Sequence, residues 1–137
     1  MTQNFASAAS RHLRDIDYLD RDSRWDNVAY LAGYVGECSL KAVIEQAGNP
    51  PRVHLNKLDV RHLLLVADLC YAVRRYPVDL DADLASLRAA WTPDLRYSAT
   101  GTILQAHAQQ MASEAKHVYS RTIGDMILDG MYVSVPK

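Results

Sequence analysis

Residues 30–44 read YLAGYVGECSLKAVI, a run that is apolar or small almost throughout and yet holds two full charges, Glu37 and Lys41. A chain can bury such a run only if its backbone N–H and C=O groups are paired internally. Its residues do not alternate with period two, so a half-buried strand is a poor solution and a helix a good one. The helix is predicted over 23–47. Ser23 or Asp22 stands at its N-cap, and Gly48-Asn49-Pro50-Pro51 closes it, because two prolines cannot continue a helix. At about 100° per residue, Tyr30, Tyr34, Glu37, Lys41 and Glu45 share one narrow stripe. Ala29, Ala32, Gly33, Gly36 and Ser39 spread over the other side, where small residues admit another backbone. Leu31, Val35, Cys38 and Ala42 make an apolar flank, so the helix is expected to touch neighbours almost all round. Glu37 precedes Lys41 by four residues, the favourable order for an ion pair, worth about 0.2–0.5 kcal/mol on an exposed surface. Two readings of the stripe stand side by side. It is either a solvated or internally satisfied polar face, or a groove or dimer seam where charges and phenol hydroxyls meet a ligand.

The rest of the chain is helical in pattern as well. Ala9, Leu13, Ile16 and Leu19 recur at three- and four-residue steps and predict a first helix over 7–19. A third is predicted from 56 or 58 to 75, where Pro77 follows, and a short fourth over 81–90. Trp91-Thr92-Pro93 turns the chain, DLRYSATG is irregular, and a long final helix over 102–128 carries Leu104, Ala108, Met111, Ala115, Val118 and Ile123. The expected fold is all-α, a single up-and-down bundle of four to five helices forming one domain over 1–137. Met126 and Met131 read as core or interface filler, and Gly124, Asp129-Gly130 and residues 133–137 as a fraying end.

Composition removes several function classes. Fifteen basic residues stand against sixteen acidic ones, for a formal charge of −1, which gives no general electrostatic grip on nucleic acid. Cys38 and Cys70 sit in apolar helical stretches, with no CxxC and no His/Cys cluster, so neither a metal nor a cofactor is expected. His107 and His117 are ten residues apart, too far for a metal pair one helical turn apart. Ser98-Ala99-Thr100-Gly101 lacks the lysine of a phosphate-binding loop, and Arg74-Arg75 complements a helix end. The N-terminus MTQNFASAAS has no basic segment before an apolar run, and apolar runs such as LLLVA at 63–67 are too short to span a bilayer. A cytoplasmic location without membrane contact is the expectation.

RWDNVAYLAGYVGECSLKAVI, then RVHLNKL after a Pro-containing loop, then WTPDLRYS before a long last helix, resembles the HEPN (higher eukaryotes and prokaryotes nucleotide-binding) superfamily. The likeness is strongest over 24–47, weaker at 52–58 and 91–98, and the helix order fits most of the chain. It implies a bundle of four to five helices, a homodimer, and association with RNA cleavage, toxin–antitoxin modules or antiviral defence, in some members beside a minimal nucleotidyltransferase. Ribonuclease members carry an arginine followed, after four to six residues, by a histidine. Attack by a 2′-hydroxyl needs an acid–base group near neutral pH, and the phosphate needs a fixed guanidinium. None of His12, His54, His62, His107 and His117 follows an arginine at that distance, so those roles fall on no position here.

The resulting expectation is a non-catalytic or degenerate HEPN-like domain that binds nucleotide, RNA or a partner protein. Tyr34, Glu37, Lys41, His54, Arg96 and Tyr97 are the candidate binding residues, converging beside the second helix. Against this stands the plainer arrangement in which Glu37 pairs with Arg96 to tie helices together and His54 caps or packs. A rival reading is a metal-independent endoribonuclease with His54 as acid–base group and Arg96 as phosphate clamp. A third is a purely structural protein that masks a partner.

Overall fold

The computed structural model describes residues 4–46, 76, 78–79 and 82–130, and among them every regular element is helical. The predicted third helix, His54, Cys70 and Met131 lie outside the described residues. Helix α1 (Phe5–Arg21) is capped by Asn4, whose side chain accepts the Ser7 N–H at 2.9 Å. Ala9 and Ile16 face inward with no exposure, and Leu13 and Leu19 are partly buried beside them, as their spacing predicts.

α1 ends by a device that corrects the expected N-cap of the next helix. Ser23 takes the left-handed conformation, φ 58°, and donates to the Asp20 carbonyl, while Arg24 N–H returns to the Leu19 carbonyl at 2.9 Å. This is a Schellman closure of α1. Ser23 therefore ends one helix rather than starting another, and Asp22 is the C-cap of α1. Helix α2 (Trp25–Gln46) begins at once, with Arg24 carbonyl accepting from Val28 N–H. The tight connection lays α1 against α2 as a helical hairpin.

α2 is the axis of the molecule. From 32 to 43 every residue but Tyr34 is buried, and α2 packs against both α1 and the long last helix. That helix, α4 (Gln105–Tyr119), passes through a π turn (Ser120–Gly124) into α5 (Asp125–Leu128) without leaving the helical course. The apolar stripe explains the π turn. Ala108, Met111, Ala115 and Val118 follow three- and four-residue steps, but the next buried apolar residue, Ile123, comes five residues on. An i→i+5 turn absorbs the extra residue and keeps Ile123 and then Met126 inside. Thr122, fully buried in the turn, donates its hydroxyl to the Val118 carbonyl at 2.7 Å. Leu104 is 73% exposed, because the helix starts one residue after it, and so leaves the predicted stripe. The expected fraying at Asp129 is also corrected: its carboxylate accepts the Tyr76 hydroxyl at 2.6 Å.

Between α2 and α4 lie the short helix α3 (Ala85–Ala90) and a 3₁₀ turn (Pro93–Tyr97). α3 is shorter than the predicted 81–90, since residues 82–84 form a turn. Leu84 stands at its N-cap and offers no acceptor. Glu114 of α4 supplies one instead, its two carboxylate oxygens taking the N–H groups of Ser86 and Leu87 at 3.1 and 3.0 Å. A buried carboxylate thus caps a helix from 28 residues away in sequence.

Candidate functional site

Trp91, at the C-cap of α3, carries the connector onto α2. It is fully buried and donates its indole N–H to the Tyr30 carbonyl at 3.0 Å. Its ring fills the space beside Gly33, where a Cβ would overlap the indole. The small-residue side of α2 therefore does serve close approach, but of a tryptophan ring. Tyr34 meets the same indole edge-on at 5.2 Å and meets Tyr30 edge-on at 5.1 Å between ring centroids.

The polar stripe of α2 divides into two parts. At its inner end Glu37 and Lys41 form an ion pair at 3.6 Å, with 2% and 7% exposure. The Lys41 ammonium also lies 5.5 Å from the centre of the Phe5 ring of α1. This pair is held at a helical seam and is not a solvated surface contact, so its charges are desolvated and removing one partner would be costly. Cys38, between them, is pushed up to about 11 by burial first and by the Glu37 charge second, against the pull of Lys41 and Arg11. It stays a thiol at neutral pH, in keeping with the small-hydrophobe reading.

At the outer end a chain of hydroxyls leads to solvent. The exposed Arg96 guanidinium lies beside the Tyr30 hydroxyl, which raises its affinity for its proton further, with the neighbouring Tyr97 adding to that. Tyr30 in turn donates to the Tyr34 hydroxyl at 3.3 Å. Tyr34 is pushed up to about 12, by burial first and then by the Tyr30 hydrogen bond and charge and by the Glu37 charge, with Arg96 pulling the other way. Arg96 lies over the Tyr97 ring at 4.8 Å, and Tyr97 is 74% exposed. Tyr34, Glu37 and Lys41 thus follow one another along α2, with Arg96 beside Tyr30 at the outer end of the hydroxyl chain and Tyr97 next to it.

One residue of this neighbourhood escaped the sequence reading. The His12 ring of α1 lies 6.0 Å from that of Tyr34, with its Nδ1 buried and unpartnered. Burial, then Arg11, hold His12 below the usual imidazole value against the pull of Asp15, which favours the neutral ring. Its position at the inward-facing step between Ala9 and Ile16 was the available signal. The remaining histidines of the described residues stand apart: His107 is exposed, and His117 Nε2 lies 3.5 Å from Asp83. Among the described residues no three metal-binding side chains cluster. No helix among them is long and apolar enough to cross a membrane.

Comparison with protein-family models, with curated proteins and with solved structures finds no match to this chain.

Proposed function

We propose that this chain is a HEPN-like helical domain, non-catalytic in the sense that it lacks the Arg…His spacing of the ribonucleases, and that it binds nucleotide or single-stranded RNA at the Arg96–Tyr97 edge. The observation that carries this reading is the pairing of an exposed guanidinium with an exposed phenol on a short turn seated against α2. A cation suits a phosphate and a flat ring suits a base, the two contacts by which sequence-tolerant sites hold single strands. The formal charge of −1 gives no general electrostatic attraction to nucleic acid, so the proposed binding is local and rests on few phosphate contacts. On the resemblance alone rest two further parts of the proposal: a homodimer, and a toxin–antitoxin or defence setting with a nucleotidyltransferase-type partner.

The test is a fluorescence titration of the protein with a labelled oligouridylate and with ATP, at low and high salt, beside Arg96→Ala and Tyr97→Ala. The expected result is binding that weakens with salt, by roughly 0.7 in logarithmic slope per phosphate contacted, and a loss of about tenfold in each variant. No binding at either salt, or binding by both variants equal to that of the wild type, overturns the proposal.

A further inference from the structure

The segment that presents Arg96 and Tyr97 leaves α2 at one point and returns to it one helical turn away. Trp91 anchors its start on the Tyr30 carbonyl. Its end is anchored by Asp26, in the first turn of α2, whose Oδ2 accepts the Gly101 N–H at 2.7 Å and whose Oδ1 accepts the Ile103 N–H at 3.0 Å. Both oxygens of one carboxylate are thus committed to a strand of chain 75 and 77 residues away. Gly101 makes the double contact feasible: its φ of 91° turns the backbone so that two amides two residues apart address the same carboxylate. Asp26 and Tyr30 are four residues apart on α2, about 6 Å along its axis. Residues 92–100 are therefore a loop closed on a single helix face, with Arg96 beside the Tyr30 hydroxyl within it.

We infer that Asp26 is a positioning residue for the Arg96–Tyr97 edge: by holding the far end of this loop it sets how guanidinium and phenol are offered to a bound nucleotide or single strand. The inference rests on the reading given under Proposed function. Without the carboxylate the loop keeps Trp91 and the core contacts of Leu95 and Ile103, but loses the polar tie that fixes its Gly101 and Ile103 amides on α2. More of the turn would then have to be ordered at the moment of binding. Ordering a loose segment on binding weakens affinity without removing any ligand contact. The two amides bonded to Asp26 are also the first cause of its lowered pKa, so the carboxylate is ionised and the tie complete at neutral pH.

The test uses the full chain with Asp26→Ala, Arg96→Ala, the double variant and Asp26→Glu, titrated with the labelled oligouridylate. Asp26→Ala should weaken binding about fivefold while leaving the emission maximum of Trp91, read in a Trp25→Phe background, in place. Amide exchange over residues 98–103 should quicken in that variant, and Asp26→Glu should recover part of the affinity. The double variant should lose less than the sum of the two single losses, because part of what Asp26 does is to position Arg96; a residue acting through general stability would show additive losses. A wild-type chain that binds, with additive losses or an Asp26→Ala affinity equal to its own, overturns the Asp26 inference and leaves the functional reading standing. A wild-type chain that binds neither oligouridylate nor ATP overturns the functional reading, and the ligand role of Asp26 with it.

Discussion

Trp91 and Tyr97 lie six residues apart on one connector and meet opposite fates. The first is sealed against α2 with no exposure, while the second stands 74% in solvent. Both are aromatic, so hydrophobicity alone does not separate them. The difference lies in what α2 offers each. Opposite Trp91 it presents a glycine and a backbone carbonyl, a flat recess with one acceptor that suits an indole ring and its N–H. Opposite the 3₁₀ turn it presents the Tyr30 hydroxyl, beside which the guanidinium of Arg96 lies, leaving the phenol of Tyr97 against the outer side of that cation. The connector thus has a structural end and a presenting end.

The strongest way to break this contrast is Trp91→Ala. It should cost about 3–5 kcal/mol of unfolding free energy, as expected when a fully buried large ring leaves a void, read from denaturant midpoints. Gly33→Ala comes next. Its methyl collides with the indole, so a loss of about 1–3 kcal/mol is expected by overpacking. Placed in the Trp91→Ala background the same change should be neutral or stabilising, since alanine is the better helix former by about 1 kcal/mol. A glycine substitution that costs the same in both backgrounds would show that the ring does not occupy the recess. Tyr97→Ala is the smallest effect. An exposed side chain at the presenting end should shift stability by no more than about 0.5 kcal/mol, and a larger loss in thermal unfolding would move Tyr97 to the structural class.

Much of the helical frame was legible from local pattern. The steps from Ala9 to Leu19 and from Ala108 to Val118 each mark one buried face, and the five-residue step to Ile123 signals the π turn for a reader who takes it literally. The buried Glu37–Lys41 pair was visible as a spacing, but its burial was not, because that depends on the elements packed around α2. The contacts that set the connector were unreadable for a common reason. Glu114 capping α3, Trp91 reaching Tyr30 and Asp26 holding Gly101 join positions 28 to 75 residues apart, and each donor or acceptor is an ordinary residue in its own stretch. His12 is similar. Its step between Ala9 and Ile16 marks it as inward-facing, but nothing local names the phenol from α2 that lies against it. The Ser23 assignment failed differently: a serine between two helices can close one or open the other, and the left-handed backbone decides it.

The π turn also governs the phase of everything downstream of Tyr119. One surplus residue in a helix amounts to a rotation of about 100°. Deleting a single position between Val118 and Ile123 would let the spiral run regularly with Ile123 and Met126 still inside, whereas straightening the turn with every residue kept would swing Met126 out of the interior and carry Asp129 away from the Tyr76 hydroxyl. What looks like a local irregularity is the setting that keeps the last stretch of the chain in register with the rest.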